Sequence, residues 1–181
     1  PDFGQEFDQG FKDGQDAGIG LEVNLAVTVP DLKAFLSDPE HEGVVAGEIK
    51  THKKSQFTPI HQGVFKLFNK DDQGVRHLEY RFEYPEADSS MKFVGVKNIK
   101  DDPGFDSLED ITTLFVRVDG PSEKYVGKIL FKSLDFPKLF ASIDVSSPSR
   151  TVRLLAKTAF IAFCISEMSD AYLFQKLRTP K

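Results

Sequence analysis

The sequence predicts an α+β, β-dominated fold: a curved antiparallel sheet or open β-barrel of about eight strands, packed on a long C-terminal helix. Three observations carry this prediction. Short alternating apolar runs follow one another from Leu21 to Phe131, with turn residues between them. No long helical pattern separates consecutive runs, which favours antiparallel meander pairing over a parallel sheet. A single long helical pattern, Pro148 to Leu173, then closes the chain. A two-sheet β-sandwich with a terminal helix is the alternative arrangement.

The elements follow in order. Residues 1–20 interleave Phe3, Phe7 and Phe11 with Gly and acids, show no sustained period, and read as an irregular N-terminal arm. Residues 21–181 then form one β-rich domain. In Leu21–Val29 the residues Leu21, Val23, Leu25, Val27 and Val29 share one face, and Pro30 ends the run. Asp31–Ser37 has the pattern of two helical turns, stopped by Pro39. Val44–Thr51 and Gly63–Phe68 are the next strands, separated by a polar stretch containing Pro59. Val75–Tyr84 is the cleanest amphipathic strand. Leu78, Tyr80, Phe82 and Tyr84 point one way; His77, Glu79 and Arg81 point the other, as on a solvated sheet face.

Met91–Ile99, Thr112–Val118 and Tyr125–Phe131 continue the pattern through turns such as Asp119-Gly-Pro. Leu134–Ser142 repeats the helical look of Pro30–Ser37, hinting at a duplicated strand–helix junction. In the last helix Ser147 can cap and Pro148 suits the first turn. Its middle, Thr158–Ser166, is apolar on nearly all sides. That predicts burial on several sides within the concave face of the sheet. The stretch is far short of the roughly 20 residues a membrane span needs.

Composition narrows the function. Seventeen Phe and no Trp among 181 residues supply large apolar area without polar tips. A net charge of −5 and the lack of clustered Lys and Arg argue against nucleic acid as a partner. The single cysteine, Cys164, excludes an internal disulfide framework. No signal peptide is visible at Pro1, and a bacterial cytoplasmic location is the simplest expectation.

No enzyme signature appears. Neither a Gly-x-Ser-x-Gly elbow, a Gly-x-Gly-x-x-Gly fingerprint nor a P-loop occurs, so no cofactor is expected. His41, His52, His61 and His77 are never three or four apart, which removes a helical metal pair. Five acids lie between Asp101 and Asp110, but Pro103 and Gly104 stand where calcium ligands would be expected; the segment reads as a metal-free turn. What remains is apolar. Phe82, Phe93, Phe115, Phe131, Phe160 and Phe163 are candidates to line an apolar ligand site, or to fill an ordinary core.

Phe93-Val-Gly-Val-Lys-Asn-Ile-Lys-Asp-Asp-Pro-Gly104, followed by Asp110-Ile-Thr-Thr-Leu-Phe-Val-Arg-Val118, resembles an accessory region of large bacterial cholesterol-oxidase-like proteins of the glucose–methanol–choline oxidoreductase family. The likeness runs over about residues 7–177 and includes Leu36-Ser-Asp-Pro-Glu-His41 with Gly47, Gly127-Lys-Ile-Leu130 and Asp135-Phe136. It implies an accessory domain without the redox residues of the flavin enzyme. The expected function is therefore a non-catalytic accessory, lipid-handling module associated with a flavoenzyme that oxidises sterols or other apolar alcohols. Its expected partners are an apolar small molecule, sterol or lipid, and a flavin oxidoreductase domain. The alternatives are a small barrel-type enzyme using His77, Glu79 or Arg81 as acid–base groups, and a protein-docking domain marked by an exposed apolar patch.

Overall fold

The computed structural model describes residues 5–72, 74–99, 113–130 and 141–176, with side chains described as far as Ser169 in the last segment. The acidic segment Asp101–Asp110, most of Leu134–Ser142, and Phe131 lie outside the described residues. Chain order gives α1 Gln5–Asp16, β1 Leu21–Thr28, α2 Leu32–Ser37, β2 Glu42–Thr51, β3 Thr58–Pro59, β4 His61–Lys70, β5 Arg76–Glu86, β6 Ser89–Ile99, β7 Thr113–Asp119, β8 Lys124–Leu130 and α3 Arg150–Lys176. The strands form one antiparallel sheet in the order β1-β2-β4-β5-β6-β7-β8, with β3 added beside β2.

Alternation decides which side is core. Phe82 lies opposite Phe93, Tyr84 opposite Met91, and Phe93 opposite Val118, all on one face. Phe82 and Phe93 are 2% and 1% exposed, with their rings stacked 4.2 Å apart at 9°. Val45, Ile49, Phe65, Leu67, Leu114 and Val116 complete that face. Burying each such side chain removes apolar area worth roughly 2 kcal/mol from water.

The sheet is curled, and one contact proves it. In the ladder β2 and β8 are five strand spacings apart, about 24 Å at the usual separation. Yet Lys53, two residues past β2, makes an ion pair with Glu123 at the start of β8 and lies 5.6 Å from the Tyr125 ring. His52 stands edge-on to the same ring at 6.3 Å. Part of the bend comes from β4, whose pairing with β5 shifts register at His61/Val64 and Leu67/Asn69. Gln62 and Phe68 sit in those shifts with φ of 51° and 58°, as bulges require.

Gly47 shows how tightly β1 and β2 are laid together. Its φ is +147°, and an added Cβ would overlap the carbonyl oxygen of Asn24 across the pair.

Residues 5–16 correct the reading of an irregular arm, because they are the helix α1. Phe7 packs edge-on against Phe115 at 5.6 Å, Asp8 pairs with Lys128, and Gly10 rests on the backbone of Val126. α1 therefore covers β8, one edge of the sheet, and leads through residues 17–20 directly into β1, the other edge.

Candidate functional site

The seat of α3 is built at the end of the sheet where β4 meets β5. Asp31 caps α2 by accepting from the Ala34 amide at 3.0 Å, which sets Phe35 into the core. His41 follows with φ 44°, its Nδ1 2.7 Å from the Phe35 carbonyl oxygen. The bulge at Leu67/Asn69 turns Phe68 inward, so two consecutive residues, Leu67 and Phe68, are both buried. Onto these aromatic rings comes Phe163 of α3, 6.1 Å from Phe35, 4.7 Å from His41 and 5.8 Å from Phe68. One turn away Glu167 accepts from Arg76 Nε at 2.7 Å, and Cys164 is buried beside them. Burial pushes the Cys164 thiol up to about 11, so it is a packing group and not a nucleophile.

Over the described side chains, residues 150–169, only this side of α3 is covered, which corrects the expectation of a helix enclosed within the concave face. Val152, Leu154, Leu155 and Ile165 are 50, 67, 64 and 60% exposed. The charges are on the wrong side for an ordinary surface helix. Arg153 donates to the Ser147 carbonyl, Lys157 to that of Ile143 at 2.9 Å, and Glu167 is tied to Arg76. From Thr151 to Ser169 the outward positions carry Leu, Ile, Val, Ala, Thr and Ser and no charge. Beside this face an open groove of about 450 Å³ runs between α2 and α3, lined by Leu32, Lys33, Leu36, Ser37 and Ala159.

Of the six candidate phenylalanines, Phe82 and Phe93 belong to one hydrophobic core and Phe160 and Phe163 pack against it. Phe82 and Phe93 stack inside the sheet. Phe115 points out through the opposite face of β7, onto Phe7 and under the Lys128 ammonium at 5.3 Å. Phe160 and Phe163 lie 6.5 Å apart on the seated face of α3. Phe131 is outside the described residues.

The polar face of β5 is less solvated than its alternation implied. His77 and Glu79 are 7% and 8% exposed, while Arg81 reaches outward and pairs with Glu79. Both nitrogens of His77 are occupied: Nδ1 lies 2.7 Å from Asn98 Oδ1 and Nε2 3.1 Å from Asp71 Oδ2. Asp71 in turn accepts from the Val75 amide at 2.8 Å, so the set fastens the β4–β5 hairpin. A ring with both nitrogens engaged offers no lone pair to a substrate.

Among the described residues no group of three or more His, Cys, Asp or Glu is arranged to hold a metal, and no helix is long and apolar enough to cross a membrane. The outward face of α3 was missed in the sequence, although its signal is there. Placing Arg153, Lys157 and Glu167 at 3.6 residues per turn puts them on the Phe160/Phe163 side and leaves the other side uncharged. In comparisons with known proteins, no family model, curated protein or solved structure matches the chain.

Proposed function

We propose that the chain is a non-catalytic accessory module that works by docking a protein through the outward face of α3. One observation carries the reading: a five-turn helix face from Thr151 to Ser169 that is largely apolar, uncharged and exposed, while Arg153, Lys157 and Glu167 of the same stretch face the protein's own body. Leaving several large apolar side chains in water costs free energy that a partner would recover, at roughly 25 cal/mol per Å² covered. The closed hydrogen bonding of His77 and the buried state of Cys164 support the non-catalytic half of the reading. The resemblance of residues 93–118 to an accessory region of cholesterol-oxidase-like proteins supports a flavin oxidoreductase domain as one candidate partner.

Lipid handling is the second reading, favoured by the groove between α2 and α3. Its lining of Leu32, Leu36 and Ala159 together with Lys33 and Ser37 suits the tail and anionic head of a lipid, or a sterol laid flat. Native mass spectrometry after incubation with oleate or cholesterol decides this arm by the presence of an adduct.

The docking reading is tested with Leu154→Lys/Leu155→Lys. At about 1 µM the native protein should bind an apolar fluorescent dye. The variant should lose most of that signal while its Tm stays within about 2 °C, because both side chains already stand in water. A Tm drop of about 5 °C or more would mean that the protein's own chain covers the face, and docking would be abandoned.

A further inference from the structure

We infer that the free edge of β1 is a pairing surface whose partner is β1 of a second copy, laid antiparallel about a two-fold axis through Asn24. This is a different surface from the outward face of α3. β1 ends the strand order and pairs only with β2. The Gly20 carbonyl accepts from the His52 amide at 2.9 Å, so in the alternating ladder the even residues of β1 turn their amides and carbonyls towards β2. The odd ones, Leu21, Val23, Leu25 and Val27, turn theirs away. Among the described residues nothing bonds to those four amides and four carbonyls.

This edge has none of the devices that keep a strand from pairing. It is eight residues long, without proline or lysine, and its register with β2 runs from Leu21 to Thr28 with no bulge. Its one charge, Glu22, lies 3.9 Å from Lys50 on the neighbouring strand. No residue of β1 is buried, and Val27 is 40% exposed. A strand added here is held by main-chain hydrogen bonds.

The capping of the other edge selects a second copy. β8 has α1 packed against it and β1 has no such cover. Each copy thus presents one open edge, and pairing like with like closes at two chains where β1 on β8 would run on as a fibre. Register points the same way. Leu21, Val23, Leu25 and Val27 map onto one another only when the axis passes through residue 24. Leu21 then faces the partner's Val27 and Val23 faces the partner's Leu25. Each such pair exchanges two hydrogen bonds, so all eight free groups are satisfied. Odd residues face odd ones, and the apolar row of one copy continues into the other. On the outer face Asn24 meets itself, carboxamide to carboxamide. Glu22 meets Ala26, so no like charges stand opposite. The contact is a single strand pair, so association is weak and depends on concentration.

Sedimentation velocity from about 1 µM to about 500 µM should show one-chain mass rising to two-chain mass and no further. Over the same range the amides of Leu21, Val23, Leu25 and Val27 should pass from free to protected in hydrogen exchange. Val23→Pro removes one free amide and no bond to β2, and should weaken association more than about tenfold. Ala26→Glu, opposite the partner's Glu22, should weaken it about threefold or more, and Ala26→Lys should strengthen it. Both Ala26 variants should keep the Tm of the dilute protein within about 2 °C, because Ala26 is exposed. Asn24→Cys, which faces itself across the axis, should oxidise to a two-chain species, whereas Glu22→Cys should not. The native Cys164 is buried and stays silent. One-chain mass throughout, with the four amides still exchanging freely, overturns the second copy and leaves the edge to a strand of another protein. A two-chain mass indifferent to Ala26→Glu and Val23→Pro puts the contact elsewhere and overturns the inference. Growth beyond two chains overturns it too, since β1 would then be pairing with a different edge. None of these results bears on dye binding at α3.

Discussion

Tyr80 shows how much a single buried side chain decides. It is on the core face of β5, its ring 5.0 Å from that of Phe65, and burial pushes its phenol from 10.0 up to about 12. Burial also raises Tyr84 four residues on, with the Glu86 carboxylate adding to the shift. The sign follows from proton linkage. Below pH 10 the phenol is protonated in both folded and unfolded chains, and its contribution is fully present. Between pH 10 and 12 the unfolded chain releases the proton while the folded one keeps it, so stability falls by up to about 1.4 kcal/mol per pH unit. Urea unfolding at pH 9, 10, 11 and 12 should therefore fall more steeply for the native chain than for Tyr80→Phe, which has no proton to lose. Parallel curves would mean that this phenol already ionises freely in the folded state. Charged residues where the end of β2 meets the start of β8 offer less: Lys53 holds the Glu123 carboxyl below the usual range, but both groups are exposed to solvent and contribute little stability.

At the scale of elements, the described part of α3 is held by the Arg76–Glu167 ion pair and an aromatic seat. The Arg76 side chain is 8% exposed, so removing its Glu167 partner strands a charge in a poorly hydrated place. Glu167→Ala should cost about 2 kcal/mol, less than the roughly 3–5 kcal/mol of a fully buried pair, because Glu167 is partly exposed and Arg76 keeps a further interaction. Hydrogen exchange should quicken over Phe160–Met168 before it does in β5. Uniform loss of protection across the sheet would show instead that α3 is no separate unit. The strands were legible because period-2 alternation survives into the fold: β1, β2 and β5 to β8 begin and end within about two residues of their patterns. The bulge at Phe68 was not, because no local rule marks a phenylalanine for positive φ; only the demand of Phe163 above it explains that strain. The middle of α3 misled for a different reason. Hydrophobicity records that a face is covered by something, and it is silent on whether the same chain does the covering.

For the whole molecule the open question of a curled sheet is what closes its two edges. β1 and β8 are the ends of the strand order, and exposed edges invite pairing with other chains. Here α1 lies along β8 and feeds β1, and Gly10 is the point of closest approach. The residue is also why α1 was not recognised. Phe7, Gly10, Phe11 and Gly14 have helical spacing, but glycine counts against a helix unless a neighbour needs the room. The two roles make opposite predictions for Gly10→Ala. In a free helix the alanine would stabilise by up to about 1 kcal/mol. Against β8 its Cβ would overlap the Val126 carbonyl oxygen and backbone would have to move, at a cost of about 1–3 kcal/mol. The variant should thus unfold at lower urea than the native chain and be cut sooner by protease near residues 16–20, where α1 joins β1. A more stable variant would place α1 off the sheet and leave the β8 edge without its cover.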